Sequence, residues 1–248
     1  MNQKLILENI SKVFNEGEFN EVTALSEIDM EFQAGEYVLI IGENGSGKST
    51  LLNVIDGRVE RTTGNVYIDG VNINGLKTYQ RAKKFFYRLF QDSMHGILPL
   101  GTIKENMACA KNRHLPWKWC KPLVNPGEEK VFETVISEFR PELSDKLNKK
   151  VFTLSPGERQ ALVLSLLKLQ TSLEPQILLA DEPTASLDPH LAQKCIETIE
   201  VYANSGWLCL VVTHDTNVIQ NHQGRIIQLN GGIVSKDTNK KMEQGKCI

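Results

Sequence analysis

Residues 42–49 read Gly42-Glu43-Asn44-Gly45-Ser46-Gly47-Lys48-Ser49, with Thr50 following. The spacing G-x-x-x-x-G-K-S suits phosphate. Glycines at 42, 45 and 47 let the backbone turn tightly. Successive N–H groups from Gly42 through Asn44 and Ser46 to Thr50 then point into one concavity. Lys48 can reach the β- and γ-phosphates of a nucleotide, and the Ser49 hydroxyl can ligate Mg²⁺. Farther along, Asp181 and Glu182 close the apolar run Ile177-Leu178-Leu179-Ala180. At such a strand end Asp181 can hold Mg²⁺ through water and Glu182 can polarise an attacking water. The run Leu210-Val211-Val212-Thr213 delivers His214 in the same way.

A fourth group lies between these. Leu154-Ser155-Pro156-Gly157-Glu158-Arg159-Gln160 precedes an apolar helix pattern through Leu162, Val163, Leu166, Leu167 and Leu169. Ser155 fits the N-cap, Pro156 the first helical position, and Glu158 completes a capping box. A helix start with free N–H groups is also an anion site, and Gly157 allows close backbone approach. Local pattern alone permits either reading, a well-capped helix or a phosphate contact.

These groups need elements to hold them. Tyr37 to Ile41 reads as a buried strand, and Ser49 to Asp56 as a helix that Gly57 stops. Leu5–Ile10 and Leu25–Phe32 read as strands. Val66-Tyr67-Ile68 and Val71 flank an Asp69-Gly70 hairpin turn, and Ile226–Leu229 and Ile233-Val234 flank a second turn. The apolar runs 177–180 and 208–212 suit central parallel strands covered on both faces. Residues 92–163 differ, with prolines, Trp117, Trp119 and helix-like segments such as Val131–Phe139. The pattern is an α/β P-loop core with an antiparallel β part and an inserted helical part. Residues 1–91 and 164–235 are expected as the nucleotide-binding core, 92–163 as the helical subdomain, and 236–248 as a tail.

Composition narrows the setting. The chain has 248 residues, 41% hydrophobic and 23% charged, as in a globular protein with one large core. A net charge of −2 gives no basic footprint for nucleic acid. Cys109, Cys120, Cys195, Cys209 and Cys247 form no C-x-x-C pair, so neither a zinc knuckle nor a disulfide framework is expected. A reducing, cytoplasmic compartment fits. No apolar stretch approaches the about 20 residues that span a bilayer. Work at a membrane would need another chain to carry the spans.

In order and spacing, the phosphate loop, Gln91, LSPGERQ, ILLADEP, Ser186-Leu187-Asp188 and His214 resemble an ATP-binding cassette (ABC) ATPase along essentially the whole chain. The resemblance implies ATP hydrolysis with Mg²⁺ in a head-to-tail homodimer. It implies that Phe14 stacks on adenine, where a core residue is the plainer reading. It makes Gln91 a residue that touches Mg²⁺ and hinges the helical subdomain. Ser155 and Gly157 become contacts to the γ-phosphate on the opposite subunit, Asp188 a residue of the dimer seam, and His214 a sensor of the γ-phosphate. The family's usual LSGGQ reads LSPGE here.

Segments around Phe14, Glu21–Leu25, Tyr79–Lys83 and Leu89–Asp92 are similar to ATPases of small bacterial importers, some of the aromatic amino acid type. That likeness implies a separate permease, an extracytoplasmic solute-binding protein and a peripheral place on the inner membrane face. Ile97–Met107 is the candidate lip of the permease groove. Trp117 and Trp119 suit either an interface or the helical subdomain's own core. An ATPase of iron–sulfur cluster assembly and a non-transport cell-division ATPase share the same motifs and stand as alternatives.

Overall fold

The computed structural model describes residues 4–113, 124, 127–170, 177–185 and 187–238. Trp117, Trp119, Ser186 and the tail beyond Thr238 lie outside the described residues. Two sheets form the frame. One is antiparallel, in the order β2 (Val22–Gln33), β1 (Lys4–Phe14), β4 (Thr63–Ile68), β5 (Val71–Asn72). The other has six strands. Its parallel part runs β9 (Arg225–Asn230), β3 (Tyr37–Ile41), β8 (Leu208–Val212), β7 (Ile177–Asp181), β6 (Phe86–Leu89), and β10 (Ile233–Asp237) adds an antiparallel edge beside β9.

The central strands read as unbroken apolar runs because both their faces are buried. Leu39, Leu178, Ala180, Cys209 and Val211 join one core, whereas Val38, Ile40, Ile177, Leu179, Leu208, Leu210 and Val212 join the other. The alternation is that of side chains on opposite faces of a strand. The second core is closed by α1 (Lys48–Asp56) and the antiparallel sheet. The first is closed by α3 (Ile103–Lys111), α4 (Glu128–Ser137), α5 (Pro156–Lys168) and α6 (Pro189–Asn204). Helix α5 runs unbroken through position 163, and Phe132, Ile136 and Leu143 share one continuous core with the sheet.

Two polar anchors tie the layers. The buried Tyr202 donates from its hydroxyl to the Leu167 carbonyl at 2.7 Å and packs edge-on against Trp207. Arg81, in α2 (Thr78–Lys84), donates to the Val54 and Ile55 carbonyls at 3.1 and 2.9 Å. It shares the Val54 carbonyl with the Gly57 N–H, adds a donor for the Ile55 carbonyl, and places a cation at the negative end of that helix.

Strands β1 and β2 run past the expected limits at both ends. Their register shifts between Leu7 and Ile10, near Asn9 and Glu27, which hold φ of 48° and 50°. Such bulges break a period-2 pattern. The extension pairs Phe14 with Val22.

Candidate functional site

The parallel register sets the site. Ile40, Val212 and Asp181 pair in one row across β3, β8 and β7, and Leu89 on β6 pairs with Ala180. The phosphate loop, Asp181-Glu182 and Thr213-His214 therefore leave the sheet at one edge, the carboxyl edge where α/β sheets bind ligands. Gln91, two residues beyond Leu89, emerges there too and is exposed.

Three elements pin the phosphate loop. Gly42 has φ +151°, and a side chain there would strike the Leu229 carbonyl and lie 2.7 Å from Ser46 Oγ. Gly47 has φ +98°, and a side chain there would strike the Ala24 carbonyl of β2. Gly232, in the β9–β10 turn, donates to the Ser46 carbonyl at 3.2 Å. Asn44 and Gly45 form the exposed rim, Ser46 and Lys48 are buried, and Thr50 is half-buried in α1. Lys48 Nζ is held by its own loop. It donates to the Gly42 and Glu43 carbonyls at 2.7 Å each, with Ser46 Oγ at 3.5 Å.

The Ser49 hydroxyl donates to Asp181 Oδ1 at 3.2 Å. A hydroxyl and a carboxylate side by side fit a hard cation that takes oxygen ligands, the rest supplied by phosphate and water. Ser49 and Asp181 could hold Mg²⁺, and Gln91 leaves the sheet at the same edge. Glu182 sits at φ 47°, an uncommon conformation for a non-glycine residue, and its N–H donates to the Val212 carbonyl at 2.9 Å. Such backbone strain concentrates at functional sites. His214 Nδ1 lies 2.9 Å from Glu182 Oε1. A carboxylate can only accept, so Nδ1 carries the hydrogen and Nε2 is left for another partner.

Phe14 belongs to neither core and is over one-third exposed, with Lys12 Nζ 4.8 Å from its ring centre. Its partner Val22 stands two residues before Ala24, the residue against Gly47. The ring thus sits at the phosphate-loop end of the antiparallel sheet, open to a planar ligand.

Ser155, Gly157 and Asp188 form a second group. Both arms of the capping box are made: Glu158 N–H donates to Ser155 Oγ at 3.3 Å, and Ser155 N–H to Glu158 Oε2 at 2.7 Å. The Ser155 N–H bond is the main cause holding the Glu158 carboxyl below its ordinary range. Asp188 caps α6 through the Leu191 N–H at 3.0 Å, which, with Arg140 beside it, lowers its own pKa. Arg140 Nη2 reaches Asp188 Oδ2 at 2.6 Å and stands 3.2 Å from where a Gly157 side chain would begin. Arg140 links the start of α5 to the start of α6.

Sequence reasoning missed Arg140 and, more centrally, Arg88. Arg88 interrupts the apolar run Phe85–Phe90 on β6 and pairs with Asp181 Oδ2 at 3.1 Å. An arginine amid five apolar or aromatic neighbours is the signal that could have found it. Nearby, burial pushes the Asp56 carboxyl above its usual range, and Arg88 opposes that shift.

The chain matches the model of the family described as ABC transporter over residues 25–185. It is 33% identical to the tyrosine transport ATP-binding protein of Clostridioides difficile, across 98% of this chain and 95% of that protein. It is 31% identical to the macrolide export ATP-binding/permease protein MacB of Mannheimia succiniciproducens, across 94% of this chain and 34% of that protein. A solved dimeric structure of the ATP-binding cassette MJ0796 of Methanocaldococcus jannaschii, in a post-hydrolysis state with ADP and phosphate, superposes with a TM-score of 0.77 at 29% identity. It covers 94% of this chain and 97% of that one.

Proposed function

The chain belongs to the ABC transporter family as an ATP-hydrolysing nucleotide-binding subunit, and from that premise we propose that it drives import of a small solute through a separate membrane permease. The observation that carries the enzymatic part is the edge where the phosphate loop, the Ser49–Asp181 contact and the Glu182–His214 pair converge. Two copies face head to tail, and the dimeric state of the solved cassette MJ0796 supports pairing. Each ATP lies between the phosphate loop of one copy, with adenine on Phe14, and the Ser155–Gly157 helix start of the other, beside Asp188. Lys48 then exchanges the Gly42 and Glu43 carbonyls for β- and γ-phosphate oxygens. Glu182 orients a water and takes its proton as the water oxygen bonds to the γ-phosphorus and the bond to the β–γ bridging oxygen breaks. His214 holds the Glu182 carboxylate in place. Bound Mg²⁺ supplies charge neutralisation at the phosphates.

Likeness along nearly the whole chain to a tyrosine transport ATP-binding protein supports a transport role; import, an extracytoplasmic binding protein and a place on the inner membrane face are part of the proposal. No described helix is long and apolar enough to cross a membrane; in this proposal the permease carries the spans. The exposed Leu98, Leu100 and Phe152 give that partner an apolar landing beside the candidate groove. Phe152 N–H donates to the Pro99 carbonyl at 3.0 Å, which brings the three together. Affinity purification from detergent-solubilised membranes tests the reading. A multi-span protein that co-purifies, and is lost on Leu100→Asp, is the expected result. A soluble iron–sulfur scaffold or a cell-wall hydrolase regulator as the partner would overturn the transport role.

A further inference from the structure

Arg88 is a buried cation beside the candidate metal face, and no step above uses it. Its side chain is 8% exposed. Nη2 donates to Asp181 Oδ2 at 3.1 Å and to Asn53 Oδ1 at 3.3 Å, and Nη1 lies 3.8 Å from Asp56 Oδ2. Asp56 has a second cation in Arg58, 3.3 Å away. Among the described residues the ion pair recorded for Asp181 is with Arg88. The two oxygens of Asp181 are thus divided, Oδ1 to Ser49 on the phosphate-loop side and Oδ2 to Arg88 on the far side.

We propose that Arg88 is the resident counter-ion of Asp181, one that keeps this carboxylate from holding a divalent cation until a nucleotide brings its phosphates. The inference rests on the reading of Ser49 and Asp181 as the metal face. A carboxylate this buried needs a positive partner when the site is empty. An arginine supplies it permanently, because the guanidinium does not deprotonate. A divalent cation on the Oδ1 side would then share one carboxylate with a fixed positive charge, and in a site of low effective dielectric that repulsion is strong. The negative charges of a triphosphate reverse the balance. Mg²⁺ in any case prefers phosphate and water oxygens with only one or two carboxylates. Metal and nucleotide would therefore enter together, and the empty loop would not be clamped by metal alone.

Mn²⁺ binding to the nucleotide-free protein, read by water-proton relaxation, tests this. Arg88→Met and Arg88→Gln should bind Mn²⁺ at least about tenfold more tightly than wild type, the scale on which removing a like charge shifts a neighbouring equilibrium. Arg88→Lys keeps the charge but loses the fork to Asn53, and should stay at the wild-type value. Adding Asp181→Asn to either neutral variant should abolish the gain. No gain in the folded neutral variants, with MgATP binding still Mg²⁺-dependent, would overturn the counter-ion role and leave the Asp181 assignment standing. A gain that survives Asp181→Asn would sink that assignment itself. If neither neutral variant folds, Arg88→Lys decides, and a tenfold rise there would refute the charge argument.

Discussion

Replacing Lys48 with Met removes one ammonium and keeps most of the stem. In the structure that ammonium donates to two carbonyls at 2.7 Å. A hydrogen bond to a charged group contributes about 1.5–3 kcal/mol, so two sum to roughly 3–6 kcal/mol. Two effects reduce the net loss. The buried ammonium no longer bears its desolvation cost. Glu43 is exposed, so water can replace the lysine at its carbonyl. A net loss of about 2 kcal/mol follows, and for a domain of this size that lowers Tm by about 4–8 °C. With nucleotide bound, the same donors serve phosphate oxygens, so the variant should also lose affinity for MgATP by at least about 100-fold. Scanning calorimetry of the nucleotide-free protein and isothermal titration with MgATP read the two losses separately. An unchanged Tm would show that the carbonyl contacts do not support the loop. An unchanged affinity would remove the phosphate-loop assignment altogether.

Phe14→Ala should weaken ATP and ADP binding alike by about 1–2 kcal/mol, the scale of a lost aromatic stack. The ring lies outside both cores, so Tm should barely move; a large Tm loss with intact affinity in titration would reverse the assignment. Glu158 gives a pH prediction. Its folded pKa is depressed, chiefly by the Ser155 N–H, so its contribution to stability is present above the ordinary glutamate value of about 4.3 and is lost as pH falls through the lower folded value. Glu158→Gln should therefore lose less stability than wild type between about pH 5 and pH 3, and parallel Tm-versus-pH curves would contradict this.

Features decided within a few residues of chain were legible in the sequence. The strand, loop and helix around Gly42–Ser49 follow one motif, and the capping box at Ser155 depends on residues three apart. The runs 177–181 and 208–212 announced buried strands because both faces are apolar. Other features depend on register between distant segments. Asn9 and Glu27 shift the phase of β1 and β2, which hid the strand ends that carry Phe14. Arg88 masked β6 as a strand, and its contact with Asp181 spans 93 residues. The Glu182–His214 pair follows from the alignment of β7 with β8, and the Arg140–Asp188 link from the meeting of two helix starts.

The central claim is that ATP bridges two copies, held by the phosphate loop of one and the Ser155 helix start of the other. Glu182→Gln tests it most directly, since the amide keeps the size of the side chain but cannot take the proton from water. Turnover should fall by roughly two or more orders of magnitude, and light scattering with MgATP should report a stable dimer. Adding Ser155→Arg should return that protein to a monomer, because a bulky side chain at the helix start blocks the opposing γ-phosphate. A double variant that dimerises as well as Glu182→Gln alone would contradict the account.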